Sequence, residues 1–296
     1  MNPFKDRPLL FATLIIYTLL LTVALLYFRF PAEQFKSYCQ TQIEQIFPDT
    51  TCSIDNLRFK FPFSFEAEEI SISEDQGKKE QIAVINLATI SPKLSNPTSS
   101  FKVDIAAYGG QHDFSLLLNK EEKQFNLDTI ELTNLDLSRI LFLQKTFKRK
   151  ITGLLSGKGN YQATWKDNEY SAEGQGNITI EKGSFSLLLP VLSLKEIDLK
   201  SSKADISLHK NGLKFDKGEF QGKELNGEFS GNIAIQSPFQ FSKLHFKGNL
   251  SPLPPLLKKS RYAKNMVKQL KIRHNRTTLP FLLEGSLERP RFKFDS

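Results

Sequence analysis

From residue 57 to 66 the chain alternates strictly, with Leu57, Phe59, Phe61, Phe63 and Phe65 interleaved by Arg58, Lys60, Pro62, Ser64 and Glu66. A period of two puts successive side chains on opposite faces of a strand, so such a segment buries one face and wets the other. The pattern returns at Phe114, Leu116 and Leu118, at Phe125 and Leu127, at Ile178 and Ile180, and at Phe185, Leu187 and Leu189. It is cleanest over 225–235, where Leu225, Gly227, Phe229, Gly231, Ile233 and Ile235 share a face. Strands are also expected at 244–250 and 281–294, the second bent at Pro290. Turn signals at Asp75-Gln76-Gly77, Ser95-Asn96-Pro97, Tyr108-Gly109-Gly110, Lys182-Gly183, Asn211-Gly212 and Ser237-Pro238 punctuate the run. Clean alternation predicts a mainly β chain, an extended antiparallel meander with one wet face. A doubly wound parallel sheet would instead show continuous apolar runs alternating with helices.

Residues 9–28 carry no charge, and only Thr13, Thr18 and Thr22 interrupt their apolar character as polar side chains whose hydroxyls can bond back to the helix's own carbonyls. About 20 apolar residues are needed for a helix to cross a bilayer's hydrocarbon, at ~1.5 Å per residue. A secretory signal peptide is the alternative. Its apolar region is shorter, about 7 to 15 residues, and ends at a small-residue cleavage site. This run is longer and leaves through Tyr27, Phe28, Arg29, Phe30 and Pro31 with no Ala-x-Ala. The reading is an uncleaved single-pass anchor at 9–28 in an inner membrane, a cytoplasmic tail at 1–8 and a periplasmic β-rich domain at 29–296. Lys5 and Arg7 are balanced by Arg29 and Lys36, so the charge bias orients the helix only weakly.

Three further helices are expected. Phe35, Tyr38, Cys39, Ile43, Ile46 and Phe47 fall near helical spacing over 31–47, a short amphipathic helix at the membrane exit. Residues 138–150 begin at Ser138, a suitable N-cap, and gather cations at their C-terminal end. The third spans 254–274 and locates the net charge of +8. Between Leu256 and Arg276, Lys258, Lys259, Arg261, Lys264, Lys268, Lys271, Arg273 and Arg276 occur without one acidic residue, so the rest of the chain sums to zero. Leu257, Tyr262, Met266, Val267 and Leu270 give this helix a partial apolar face. The cations suit lipid phosphates, a membrane surface or an acidic protein, or form a solvated face. Nucleic acid is disfavoured, because an exported body rarely meets it and no aromatic stacking platform accompanies the charges.

A bond between Cys39 and Cys52 would enclose twelve residues and contribute about 3 kcal/mol in the chain-entropy model, which an oxidising compartment permits. Two buried free thiols are the alternative. Two cysteines and the scattered His112, His209, His245 and His274 make no metal site. Nucleophile elbow, phosphate loop, dinucleotide fingerprint and zinc-binding histidine pair are all missing. The glycine-rich stretch 153–159 lacks phosphate-loop spacing and reads as a turn before a strand starting at Tyr161. Ser64 and Glu66 lie on a polar strand face, where solvated charge is expected. No catalytic residue, metal or cofactor is assigned, and the chain reads as a non-enzyme.

Short helices cannot cover the apolar face of so many strands, and bulky apolar surface left in water costs about 25 cal/mol per Å². The sheet must pack on a second sheet as a sandwich, or curl into a groove. A groove lined by Phe185, Leu187, Leu189, Phe229, Ile233 and Ile235 would suit a lipid acyl chain.

The order of these pieces resembles the type II secretion system protein N (GspN) family. The resemblance is carried by the anchor and the helix from Pro31, by Asp104-Ile105-Ala106-Ala107-Tyr108-Gly109-Gly110, by Leu132-Thr133-Asn134-Leu135-Asp136-Leu137-Ser138 and by Gly153-Leu154-Leu155-Ser156-Gly157. In the later half it continues through a strand pair at 174–189, Gly227-Glu228-Phe229-Ser230-Gly231-Asn232-Ile233, Gly248-Asn249-Leu250-Ser251-Pro252 and Gly285-Ser286-Leu287-Glu288-Arg289-Pro290-Arg291-Phe292. It implies a non-enzymatic accessory component of a type II protein secretion system, in the inner membrane and periplasm, whose partners are other secretion-system proteins. The glycine-bearing strands and C-terminal Gly-x-Leu-x-x-Pro are also similar to AsmA-like envelope proteins, which implies the alternative: a periplasmic β-groove that binds or transfers lipid between inner and outer membranes.

Overall fold

The computed structural model describes residues 7–46, 50–74, 80–119, 123–166, 169–210, 212–236, 238–274 and 278–294. Two helices come first, α1 (Arg7–Arg29) and α2 (Ala32–Ile46). Six strands follow: β1 (Thr50–Lys60), β2 (Ser64–Glu74), β3 (Glu80–Pro92), β4 (Ser100–Ala107), β5 (Gly110–Asn119) and β6 (Gln124–Asp136). After a 3-10 turn at Leu137–Arg139 and α3 (Leu141–Phe147) come β7 (Ile151–Lys166), β8 (Glu169–Val191), β9 (Leu194–His209), β10 (Gly212–Gly222), β11 (Leu225–Ala234) and β12 (Lys243–Pro252). Helices α4 (Pro254–Lys259) and α5 (Arg261–His274) precede the last hairpin, β13 (Leu279–Ser286) and β14 (Pro290–Phe294).

The strands form one open antiparallel sheet in which spatial order equals chain order from β1 to β14. The expected meander is what forms, and among the described residues no second sheet packs on it as in a sandwich. Register shows what the alternation builds. Starting at Phe59, directly opposed residues run Phe65, Ile90, Val103, Phe114 and Ile130, cross Gly159 and Gly176, and continue through Ile206, Phe215, Gly231, Phe246 and Leu283 to Phe292. The parallel row from Leu57 to Phe294 is apolar on every strand except β5, where His112 stands in it. Between these rows, on the other face, lie Arg58, Glu66, Thr89, Asp104, Asp113, Glu131 and Lys158. One face of the whole sheet is therefore apolar apart from His112, and the other is polar.

The sheet curls. Neighbouring strands lie about 4.8 Å apart, so β7 and β13 would be separated by roughly 29 Å in a flat sheet. Yet Lys148 Nζ, just before β7, is 2.8 Å from Glu288 Oε1 in the β13–β14 turn, and an Arg149 guanidinium N–H donates to the Leu287 carbonyl at 3.3 Å. Likewise α3, which follows β6, packs beside β3.

A crease of left-handed residues accompanies the curl: Glu69 in β2 (φ 46°), Asn134 in β6 (φ 54°), Gly153 in β7 (φ 134°) and Lys182 in β8 (φ 51°). A left-handed residue shifts the phase of alternation by one position. Even-numbered Cys52, Ile54, Ile70 and Ile72 thus pack in the same cluster as odd-numbered Leu57 and Ala67, although the β1–β2 pairing never slips.

Several local expectations are corrected. Lys182-Gly183 is the crease within one strand, β8, rather than a turn, so 174–189 is no strand pair. The glycine-rich stretch 153–159 lies inside β7, which also contains Tyr161. Its glycines face bulky neighbours across the ladder, Gly157 against Leu132 and Ile178. The helix at 138–150 shrinks to Leu141–Phe147, closed by left-handed Lys148; Asp136, not Ser138, accepts the capping hydrogen bond. The helix at 254–274 breaks at Ser260, whose hydroxyl accepts from the Ala263 N–H and starts α5. Pro290 opens a separate edge strand, where a missing N–H costs nothing. The turn signals Asp75-Gln76-Gly77, Asn211 and Ser237, like Phe47 at the end of α2, lie outside the described residues.

The uncharged run forms α1, about 34 Å long at 1.5 Å per residue. Its Thr18 and Thr22 hydroxyls donate to the Leu14 and Thr18 carbonyls at 2.8 Å, the back-bonding expected of a helix that must satisfy its own polar groups. Among the described residues no helix is long and apolar enough to cross a membrane. In α1 the longest unbroken stretch of described side chains is 10–22, since those of Leu9, Val23, Leu26 and Phe28 lie outside them.

Candidate functional site

The apolar face is covered at its two ends by different devices. At the first, α2 lays Phe35, Cys39 and Ile43 on Cys52, Ile54, Leu57, Ala67, Ile70 and Ile72. Phe30, the residue after α1, joins this packing. Its ring lies 5.6 Å from Phe35, 6.0 Å from Phe59 and 5.6 Å from Phe65, so the α1–α2 junction is fastened to β1 and β2 by aromatic contacts. Glu44 near the end of α2 accepts the Cys52 N–H at 2.9 Å.

At the other end, α4 and α5 supply Leu256, Ala263, Met266 and Val267 against Leu225, Leu250, Leu279 and Phe281, with Leu192 of the β8–β9 turn closing the cluster. Glycines let phenylalanine rings lie flat here. A Cβ added at Gly218 would meet the Phe229 ring at 2.4 Å, and one at Gly227 the Phe220 ring at 2.5 Å.

Between these covers α3 is the one helix among the described residues, and the apolar rows are only half buried: Val103, Phe114, Ile130, Leu132, Ile178 and Ile206 all keep intermediate exposure. Two recesses open on this stretch. One of 310 Å³ adjoins the α1–α2 junction and is lined by Phe30, Phe59, Phe63, Phe65, Ile90 and Phe101 with two prolines. The second, 190 Å³, lies over β6 to β10 among Ile130, Leu132, Tyr161, Ile178, Ile206, Leu208 and Leu213, where Gly157, Gly159, Gly174 and Gly176 deepen the wall. A larger recess of 620 Å³ around the β9–β10 turn has a mixed lining, His209, Lys214, Asp216, Asn232 and Lys247 beside Leu213, Phe215 and Ile233.

The residues expected to line a groove are dispersed. Phe229 lies in the packed cluster under α5, and Ile233 borders the 620 Å³ recess. Phe185 and Leu187 follow the crease in β8 and are half buried, with the Arg149 guanidinium 5.4 Å over the Phe185 ring. Leu189 is 77% exposed, and Ile235, just beyond β11, is exposed as well. The half-buried surface belongs instead to β3 through β9. The sequence signal for it was the glycine pairs at alternate positions, 157 and 159, 174 and 176, which leave room over a strand.

The expected cations Lys258, Lys259, Arg261, Lys264 and Lys268 sit together on the outward side of α4 and α5, exposed, while the side chains of Lys271, Arg273 and Arg276, like Leu270, lie outside the described residues. Among the described residues only Lys259 has an acidic partner, Glu224 Oε1 at 2.6 Å. Cys39 and Cys52 meet in the α2 cluster as free thiols. Burial pushes both thiols up, and Cys52 further through the neighbouring Glu44 carboxylate and Cys39.

Two polar features interrupt the pattern. Glu66, expected in solvent, is only 5% exposed and is held by Arg58 and Lys60. Asp104 and Asp113 oppose each other on the polar face with Lys102 Nζ 2.6 Å from Asp104. Hydrogen bonding to Asp104 holds the Asp113 carboxyl above its ordinary range; burial opposes the reverse shift in Asp104, yet its bonds with Asp113 and Lys102 hold it below. Among the described residues no three His, Cys, Asp or Glu side chains gather to hold a metal ion.

No family model matches the chain, and neither a curated protein nor a solved structure matches it.

Proposed function

We propose that this chain is a membrane-anchored apolar trough that holds lipid acyl chains, without enzymatic turnover. In this reading α1 crosses an inner membrane and the sheet lies in the periplasm, handling lipid between inner and outer membranes. One observation carries it: the apolar rows cross all fourteen strands, interrupted only by His112 on β5, but are sealed only at the ends, leaving half-buried surface between. Exposed apolar surface of that extent asks for an occupant. The recess beside Phe30 supports a membrane-proximal mouth, since Phe30 follows the last residue of α1 directly.

A scaffold role in a type II secretion system is the second reading. It is favoured by the two ends, where α2 and α4–α5 close the apolar face with protein rather than leaving it for a ligand.

A photo-crosslinking amino acid at two adjacent positions separates the readings. Benzoylphenylalanine in place of Ile206 faces the trough, whereas in place of Asp205 it faces the polar side. Illumination of cells followed by mass spectrometry of the full chain should show lipid adducts at 206 and none at 205. Protein adducts alone at 206 would replace the lipid reading with the scaffold.

A further inference from the structure

We infer that the outward side of α5 is a docking face for an anionic lipid surface, a second membrane contact at the end of the strand order opposite α1. The helix divides sharply. At 100° per residue Arg261, Lys264, Lys268 and Ile272 fall within about 80° of arc, while Ala263, Met266 and Val267 point the other way into the cluster on the sheet.

Three facts about this stripe identify its partner. Its cations belong to a segment, 254–276, with no acidic residue, and among the described residues only Lys259 of that segment has a counterion. Ile272 stands among the cations with 73% of its surface exposed, and Tyr262 flanks the stripe at 60%. A merely solvated helix face gains nothing from an exposed isoleucine along its edge, and an acidic protein partner would not require one. A surface that is negative at the headgroups and apolar just beneath accommodates both residue types at once, with cations at phosphate level and Ile272 in the acyl boundary. The helix is already fixed to the sheet through Ala263, which is fully buried, so docking needs no folding step. This inference does not depend on what the trough carries.

The test is capture in trans. The full chain, held in phosphatidylcholine nanodiscs on a surface, is offered labelled vesicles of phosphatidylcholine alone or with phosphatidylglycerol mixed in. Capture of the anionic vesicles only is expected. The triple change Arg261→Gln, Lys264→Gln and Lys268→Gln should weaken it by about two orders of magnitude, since each cation at an anionic surface is worth roughly a factor of five. Ile272→Ser alone should weaken it several-fold. All replaced side chains are exposed, so an unchanged thermal melt confirms that the fold persists. Equal capture of both vesicle types, or capture untouched by the triple change, overturns the inference. So does full displacement by polyglutamate with no effect of Ile272→Ser, which would assign the stripe to an acidic protein.

Discussion

The apolar face has one chemistry along its length and two fates. Under α5, Leu225 and Leu279 keep 1% and 0% of their surface, and under α2 Cys52 and Ile54 keep 4% each. In the middle, Ile130 and Ile206 occupy the same cross-strand row as Phe246, yet only Phe246 is buried. Alternation decides which face a residue takes; what lies over that face, helices above Leu225 and Cys52 or the neighbouring Phe215 and Phe229 rings at Phe246, decides whether it becomes core. Residues of equal hydrophobicity thus contribute unequally to stability, by up to the 1.5–3 kcal/mol that full burial of a large apolar side chain is worth.

The largest effect expected from this contrast comes from paired charge insertions. Phe229→Asp places a carboxylate in the cluster under α5 and should cost on the order of 4 kcal/mol or more, seen as loss of cooperative thermal unfolding. Ile206→Asp, in the uncovered stretch, should cost under about 1.5 kcal/mol while removing lipid adducts. Equal losses would erase the distinction between sealed and open stretches.

A smaller effect sharpens the picture of the sealed end. Gly218→Val drives a side chain into the Phe229 ring, which packs against the cluster under α5, and should cost about 1–3 kcal/mol by denaturant titration. The other cover can be read through its thiols. In reduced, folded protein Cys39 and Cys52 should react with a thiol reagent about tenfold more slowly than a free cysteine near pH 8, because a raised pKa leaves less thiolate; the deficit should close as pH rises further. Labelling as fast as in unfolded protein would show that α2 does not stay on the sheet. The smallest effect belongs to the contact across the curl. Lys148→Ala removes an ion pair whose lysine is mostly exposed and should change stability by no more than about 1 kcal/mol, so the curl persists without it.

Much of the architecture was legible because alternation is a local signal. Phe59, Phe65, Phe114, Phe229 and Ile233 all lie on the face that their spacing assigned, and the antiparallel meander followed from turn signals between short segments. What stayed hidden depends on backbone conformation or on distant partners. Nothing in Glu69 or Lys182 announces a left-handed residue, so Lys182-Gly183 resembled a turn and the phase shift in β8 was invisible. The break at Ser260 is set by a hydroxyl competing for the Ala263 N–H, a choice that helical spacing does not register. The uncovered stretch over β3 to β9 escapes the pattern for a similar reason. Leu225 and Ile130 have equivalent patterns, and only the cluster that α4 and α5 form over Leu225 tells them apart.

Each strand is hydrogen-bonded only to its neighbours in the chain, in unbroken order from first to last. A hairpin could therefore be inserted or removed at almost any turn, and the ladder would reclose with both faces in phase. Strand length and the crease set the width of the apolar face, while strand count alone sets its reach. Duplication of a two-strand unit would lengthen it without redesign.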